Sequence, residues 1–245
     1  ANTAADSSDI TIASITDLPA RAINAAAGNV TLTATAAIDN DAATDGAANV
    51  IGNVIDLTAA AGGIGQSFVL EVAAAMALDA DTTADGSSIS IDSIGDLPAR
   101  SINAVGLMAT GNVTLIATTA INNDAATDGA ANVRGDIVDL AATLGGIGQT
   151  VALEIEAATQ LNAVTTADGS NITIDSIGDL PVGNVNAIEG GIPDVAGMTE
   201  GVVVLDSTGT IDNAAAVDGT ANILAGEVIL VAAAGGIGQN IVLEV

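Results

Sequence analysis

The sequence predicts an all-β fold, a right-handed parallel β-helix (β-solenoid) of about nine coils in three repeats of about 83 residues. Three observations predict it. The chain repeats itself, its apolar residues alternate with a period of two, and those residues are almost all aliphatic.

Repetition is the strongest of the three. Gly28-Asn-Val-Thr-Leu32 recurs as Gly111-Asn-Val-Thr-Leu115, and Asp41-Ala-Ala-Thr-Asp-Gly-Ala-Ala-Asn-Val50 recurs at Asp124 to Val133, with the same offset in both cases. Gly62-Gly-Ile-Gly65 returns at 145–148 and 235–238, and Asp17-Leu-Pro19 at 96–98 and 179–181. The chain therefore reads as one solenoid, 1–245, with internal repeats 1–78, 79–161 and 162–245. The third repeat carries an insertion near 187–200.

Each repeat holds three segments of strict alternation, the pattern of a strand with one buried face. In order they start at Ile10, Val30, Ile55, Ile89, Val113, Val138, Ile172, Val203 and Val228. Each interval between successive starts reads as one coil of a three-sided helix, the longest being Ile55 to Ile89 and Val138 to Ile172. Phe68-Val-Leu-Glu-Val72, Val151-Ala-Leu-Glu-Ile155 and Ile241-Val-Leu-Glu-Val245 read as strands of the remaining sides. The Gly-Gly-Ile-Gly segments read as corners, because glycine accepts the positive φ of a tight bend. At about 4.8 Å per coil, nine coils give a rod of roughly 43 Å.

Composition explains why layers are needed. Hydrophobic residues make up 49% of the chain, yet Phe68 is the single aromatic and there is no Cys, His, Trp or Tyr. A core without aromatics is thin and is built from similar aliphatic layers stacked on one another. The competing architecture, an array of three β-sandwiches, would place an aromatic or a disulfide in each core.

Thirty acidic residues against three basic ones give a net charge of −27, which argues against nucleic-acid or anionic-membrane partners. The uncharged run Ser101 to Asn123 alternates and carries Asn103, Gly106, Gly111 and Asn112, so no membrane insertion is expected. The lack of Cys fits an extracellular bacterial product. No leader is visible and the first residue is not Met, so a leader has been removed or the chain is a piece of something longer.

The Gly-Asn-Val-Thr-Leu-Thr-Ala-Thr-x-x-Ile stretch at 28–38, the Asp/Ala-rich loop, Asn-Val-x-Gly-x-Val-x-x-Leu and Gly-Gly-Ile-Gly resemble the β-helical repeats of filamentous-haemagglutinin-like large exoproteins and giant adhesins. The resemblance covers nearly the whole chain and implies secretion to a bacterial cell surface, as an adhesive stalk or surface fibre. The absence of Lys and of aromatics departs from the better-known members.

Candidate chemistry is sparse. Arg21, Arg100 and Arg134 are the only bases, so general acid–base work would fall to carboxylates alone and no enzyme is expected. Arg21 and Arg100 share a repeat position that Val182 or Gly183 fills in the third copy, which suits a corner hydrogen-bonder.

Asp39, Asp41 and Asp45, and Asp79, Asp81 and Asp85, share the spacing D-x-D-x-x-x-D-G, with Asp124 and Asp128 in the second copy. Because Asn122 and Ala214 interrupt the pattern, the favoured reading is a solvated corner loop whose Asp side chains cap turns, with no cofactor. The alternative is Ca²⁺, which hard oxygen ligands in a Gly-ended loop could hold.

Arg134-Gly135-Asp136 spells an integrin-type adhesion tripeptide, at a position where the other repeats read Ile51-Gly52-Asn53 and Ala225-Gly226-Glu227. The expected function is a structural extracellular rod, a stalk or fibre segment. Its expected partners are other copies or flanking repeats at the open ends of the β-helix. A connection from Val245 through Ala1 to Ile10 of a following copy nearly matches the one from Val72 to Ile89 inside the chain. The alternative is an acidic module that binds Ca²⁺, a glycan or a host protein.

Overall fold

In the computed structural model of the chain, all residues but 4–6, 189–199 and 216–218 are described. Among the described residues there are strands, turns and no helix. In chain order the strands begin β1 (Ile10–Ser14), β2 (Leu18–Ala20), β3 (Ile23–Asn24), β4 (Val30–Ala34), β5 (Ile38–Asn40), β6 (Val50–Ala59) and β7 (Leu70–Thr82). Then come β8 (Ile89–Ser93), β9 (Leu97–Asn103), β10 (Val113–Ala117), β11 (Ile121–Asn123), β12 (Val133–Ala142) and β13 (Leu153–Thr165). The last are β14 (Ile172–Ser176), β15 (Leu180–Asn186), β16 (Val202–Ser207), β17 (Ile211–Asn213), β18 (Ile223–Leu224) and β19 (Glu227–Ala232).

Neighbouring strands pair in parallel, and following one register partner to the next traces the coil. One column runs Ile12, Leu32, Leu57, Ala80, Ile102, Val133, Ile155, Ser176, Ser207, Ala232. Each step along it is one turn, and together the steps make a β-solenoid of about nine turns. A second column runs Leu18, Ile38, Ile64, Ile89, Val113, Val138, Leu161, Val182, Asn213. The chain visits the two columns strictly in turn, so each coil has two strand-bearing sides, not the three expected.

Alternation predicts which side chains enter the core, and it holds. Val30, Leu32 and Ala34 of β4 are fully buried, as are Ile55, Leu57 and Ala59 of β6 above them. Each aliphatic side chain packs on its like in the next coil, which builds a close-packed core without aromatics. Corners are marked by slips in that alternation. In β7 the exposed pair Ala75-Met76 lies between two alternating halves, and the strand bends from one side to the other there.

This bend overturns two of the expected coils. Ile55 is followed in its column by Leu78, and Val138 by Leu161. The expected steps from Ile55 to Ile89 and from Val138 to Ile172 each skip a strand. In the first case that strand alternates through small Ala74 and Ala80, which carry a weak hydrophobic signal. Ile89 instead stacks on Ile64, on the opposite side. The repeat-equivalent residues Ile12, Ile91 and Ile174 thus sit on alternate sides. One repeat spans three and a half coils.

Glycine is needed where rungs close tightly. Gly65 and Gly148 sit at φ of 67° and 64°, and a Cβ on either would collide with the carbonyl oxygen of Ser90 or Thr173 in the next coil. Buried hydroxyls finish the turns. Ser93 Oγ donates to the Asp96 carbonyl at 2.7 Å, and Thr82 Oγ1 to that of Ser87 at 3.0 Å.

Candidate functional site

The most built feature outside the core is a loop held over a glutamate, present once per repeat. In the first copy the loop 41–48 joins β5 to β6 and folds over Glu71, whose side chain leaves the outer face of β7. Glu71 is only 1% exposed. Burying a carboxylate is costly unless its lone pairs are met. Here Gly46 N donates to it at 2.6 Å, Asp45 N at 3.2 Å and Asn40 Nδ2 at 3.1 Å. Asn49 closes the other end: its Oδ1 accepts from Glu71 N at 3.1 Å and its Nδ2 donates to the Arg21 carbonyl at 3.4 Å.

The second copy repeats the arrangement. Glu154 accepts from Gly129 N at 2.5 Å, Asp128 N at 3.1 Å and Asn123 Nδ2 at 3.2 Å. Asn132 Oδ1 accepts from Glu154 N at 3.0 Å. In the third copy Glu244 accepts from Gly219 N at 2.9 Å, and Asn222 Oδ1 accepts from Glu244 N at 3.1 Å.

Beside each loop lies a cleft. That of the first copy is about 350 Å³, lined by Arg21, Asp41, Asp45 and Asn49. That of the second is about 380 Å³, lined by Arg100, Asp124, Asp128 and Asn132. The third, about 360 Å³, is lined among the described residues by Gln160, Asn184, Asn213 and Asn222.

The aspartates expected to hold calcium are not gathered by the fold. Asp39, Asp41 and Asp45 lie in β5 and along the loop after it, whereas Asp79 and Asp81 project outward from β7 and Asp85 sits in the turn beyond. Most of them already have protein partners. Asp39 accepts from Ser67 N at 3.1 Å, Asp45 from Ala47 N at 3.0 Å and Asp128 from Ala130 N at 2.9 Å. Asp81 accepts from Asn103 Nδ2 at 3.0 Å and Asp85 from Met108 N at 2.6 Å. Asp41 faces Arg21 at 3.5 Å, and Asp79 pairs with Arg100. Burial pushes Asp124 above its ordinary value, with Arg100 pulling the other way. Among the described residues no three His, Cys, Asp or Glu side chains converge on a point where a metal ion could sit. The shared D-x-D-x-x-x-D-G spacing reflects two different pieces of structure.

Arg134-Gly135-Asp136 lies inside β12, which has a strand on either side. Arg134 binds Glu156 at 2.8 Å and Gly135 is buried. Arg134 and Gly135 are thus part of the strand ladder, and Asp136 sits at the register slip between Gly135 and Ile137.

Acidic residues also stack along the outer faces. Glu154, Asp175 and Asp206 are register partners on three successive rungs, as are Asp56 and Asp79 on two. Burial raises the Asp175 carboxyl, and the charges of Asp206 and Glu154 raise it further. Asp56 is raised by burial first and then by Asp79, against the pull of Arg100.

The glutamate anchors escape sequence reasoning about chemistry. Their one signal is a charged residue inside an otherwise apolar Leu-Glu-Val or Leu-Glu-Ile segment, at the same place in all three repeats. No family model, no curated protein and no solved structure matches the chain.

Proposed function

We propose that the chain is a structural rod, a stalk or fibre segment of a secreted, adhesin-like bacterial surface protein, and not an enzyme. The observation that carries this is the uninterrupted inward column from Ile12 to Ala232, with an aliphatic or small hydroxyl side chain at every rung. Such a column sets length by coil number, and the Asp/Ala-rich loops are fastened to it through their glutamates. The sequence has no His, Cys, Lys or Tyr, and Arg100 and Arg134 are engaged in ion pairs. Small-angle scattering tests the reading. A rod roughly 43 Å long from nine rises of about 4.8 Å is expected, and a compact sphere overturns it.

A second reading, an acidic binding module, is favoured by the recurrence of the cleft in each repeat. Calcium titration by calorimetry and a glycan array decide it. Calcium heat that Asp124→Asn abolishes, or glycan retention that Arg100→Ala abolishes, supports binding at the cleft, and no signal in either removes it.

A further inference from the structure

We infer that Met108 is an oxidation site. An uncharged hydroperoxide converts its thioether to the sulfoxide, which changes the surface of one loop and leaves the β-helix untouched.

The repeats differ in length at one corner. Val30 to Ile89 is as long as Val113 to Ile172, whereas Ile10 to Val30, Ile89 to Val113 and Ile172 to Val203 grow in turn. The flanking strands are indifferent to that growth: Ile10 pairs with Val30, Ile89 with Val113 and Ile172 with Val203, in one common register. A clasp of the same kind closes the corner each time. Gly28 N donates to the Ala25 carbonyl at 2.7 Å, Gly111 N to that of Ala104 at 2.7 Å and Gly201 N to that of Ala187 at 3.0 Å. What the clasp holds is thus isolated from the ladder.

In the second copy it holds a short hairpin. Gly106 N donates to the Ala109 carbonyl at 3.2 Å, and Asp85 accepts from Met108 N at 2.6 Å and from Ala109 N at 3.4 Å. The two tip residues are Leu107 and Met108, where such turns ordinarily take Gly, Asn or Asp. They are 98% and 92% exposed, so the fold grips their backbone and leaves their side chains in water.

Methionine is ordinarily a gap-filler of cores. Here the core takes Ile, Val, Leu and Ala, and Met76, at the bend of β7, is also 63% exposed. Met198 lies outside the described residues. With no Cys, His, Trp or Tyr in the sequence, the thioethers are the side chains that a two-electron oxidant attacks. A net charge of −27 repels anionic oxidants and does not act on neutral ones, which selects hydrogen peroxide and uncharged organic hydroperoxides.

In the reaction the Met108 sulfur gives an electron pair to the hydroxyl oxygen of the peroxide. An S–O bond forms as the O–O bond breaks. The transferred oxygen passes its proton to the departing hydroxide or alkoxide, which leaves as water or an alcohol. Sulfur is oxidised and the peroxide reduced by two electrons. The sulfoxide is polar, so the tip loses apolar surface. The rod loses nothing, because the side chain is in water and Asp85 holds backbone N–H groups that the reaction does not touch.

Peptide mapping after hydrogen peroxide treatment of the folded chain gives the rate at each methionine. Met108 is expected to react within about threefold of N-acetylmethionine amide, because water surrounds both alike. A slower rate overturns the site. A Met76→Leu/Met198→Leu chain, which keeps Met108 as its sole thioether, reads the consequence. On oxidation its urea midpoint should stay in place and its retention on a phenyl matrix should shorten. A lower midpoint or an unchanged retention overturns a change confined to the tip surface. If that chain fails to fold, Met108→Leu replaces it. That variant should lose less retention under peroxide than the unsubstituted chain, and equal losses overturn the site.

Discussion

The same device is built twice under cover and once at an uncovered edge, and the contrast shows what the next coil contributes. Glu71 and Glu154 are each 1% exposed, lidded by their loops and flanked on the following rung by Asp92 and Asp175. Glu244 makes the corresponding bonds to Gly219 and Asn222, but among the described residues no rung lies over it and it is only partly buried. Identical hydrogen bonds therefore act in different media. Away from water they replace hydration that has been lost, and at the edge they compete with it. The core behaves likewise: Leu57 is fully buried between two rungs, whereas its repeat equivalent Leu230 in β19 is half-covered.

The largest test of this contrast is in the core. Leu57→Ala should cost about 2–5 kcal/mol, because rungs on both sides hold the cavity open. Leu230→Ala should cost about 1 kcal/mol, since its upper face is free to relax. Urea denaturation measures both, and equal losses would show that the last coil is as closed as the middle ones.

Next come the anchors. Glu71→Ala or Glu154→Ala should cost about 1–3 kcal/mol by stranding loop N–H groups. Hydrogen exchange at Gly46 or Gly129 should quicken with it. Glu244→Ala should cost under about 1 kcal/mol, because water takes over at once.

A smaller effect is expected from pH. Burial raises Asp56, Asp92, Asp124 and Asp175 above the ordinary 3.8, helped by neighbouring acids such as Glu71 beside Asp92. A carboxyl raised by folding binds its proton more tightly in the folded chain. Its stabilisation is full below the unfolded value and is lost as pH rises through the folded one. The urea midpoint should therefore rise as pH falls from neutral towards the window just above 3.8. Asp212 acts in the opposite sense: burial works against its charge, but the bonds from Asn240 at 3.1 and 2.6 Å hold it lowered. Its contribution fades only below that window. The smallest effect is Arg134→Ala, under about 1 kcal/mol for a half-exposed ion pair, and screened by salt.

The parallel solenoid was legible because aliphatic residues at every second position leave little choice of face, as the strands that start at Ile10, Val30 and Ile55 illustrate. The half-coil offset was not. The strand that carries it alternates through Ala74 and Ala80 and changes phase at Ala75-Met76, so its signal is weak where the bend falls. The loops were legible as loops. The turn-capping aspartates Asp45 and Asp128 were legible too, but the residues that hold the loop, Asn40, Asn49 and Glu71, were not, because they are far apart in the chain. Proximity of that kind is set by the coil and is invisible to local spacing.

The coil closure itself can be read by one intramolecular disulfide in this cysteine-free chain. Thr58 and Asp81 are register partners on adjacent rungs. A coil running from Ile55 to Ile89 would instead place Thr58 beside Asp92, which lies on the opposite side. The Thr58→Cys/Asp81→Cys variant is predicted to close its disulfide under mild oxidation while folded, and Thr58→Cys/Asp92→Cys to stay reduced. A bond between positions 58 and 92, with 58 and 81 left open, would contradict the two-sided coil and the half-turn between repeats.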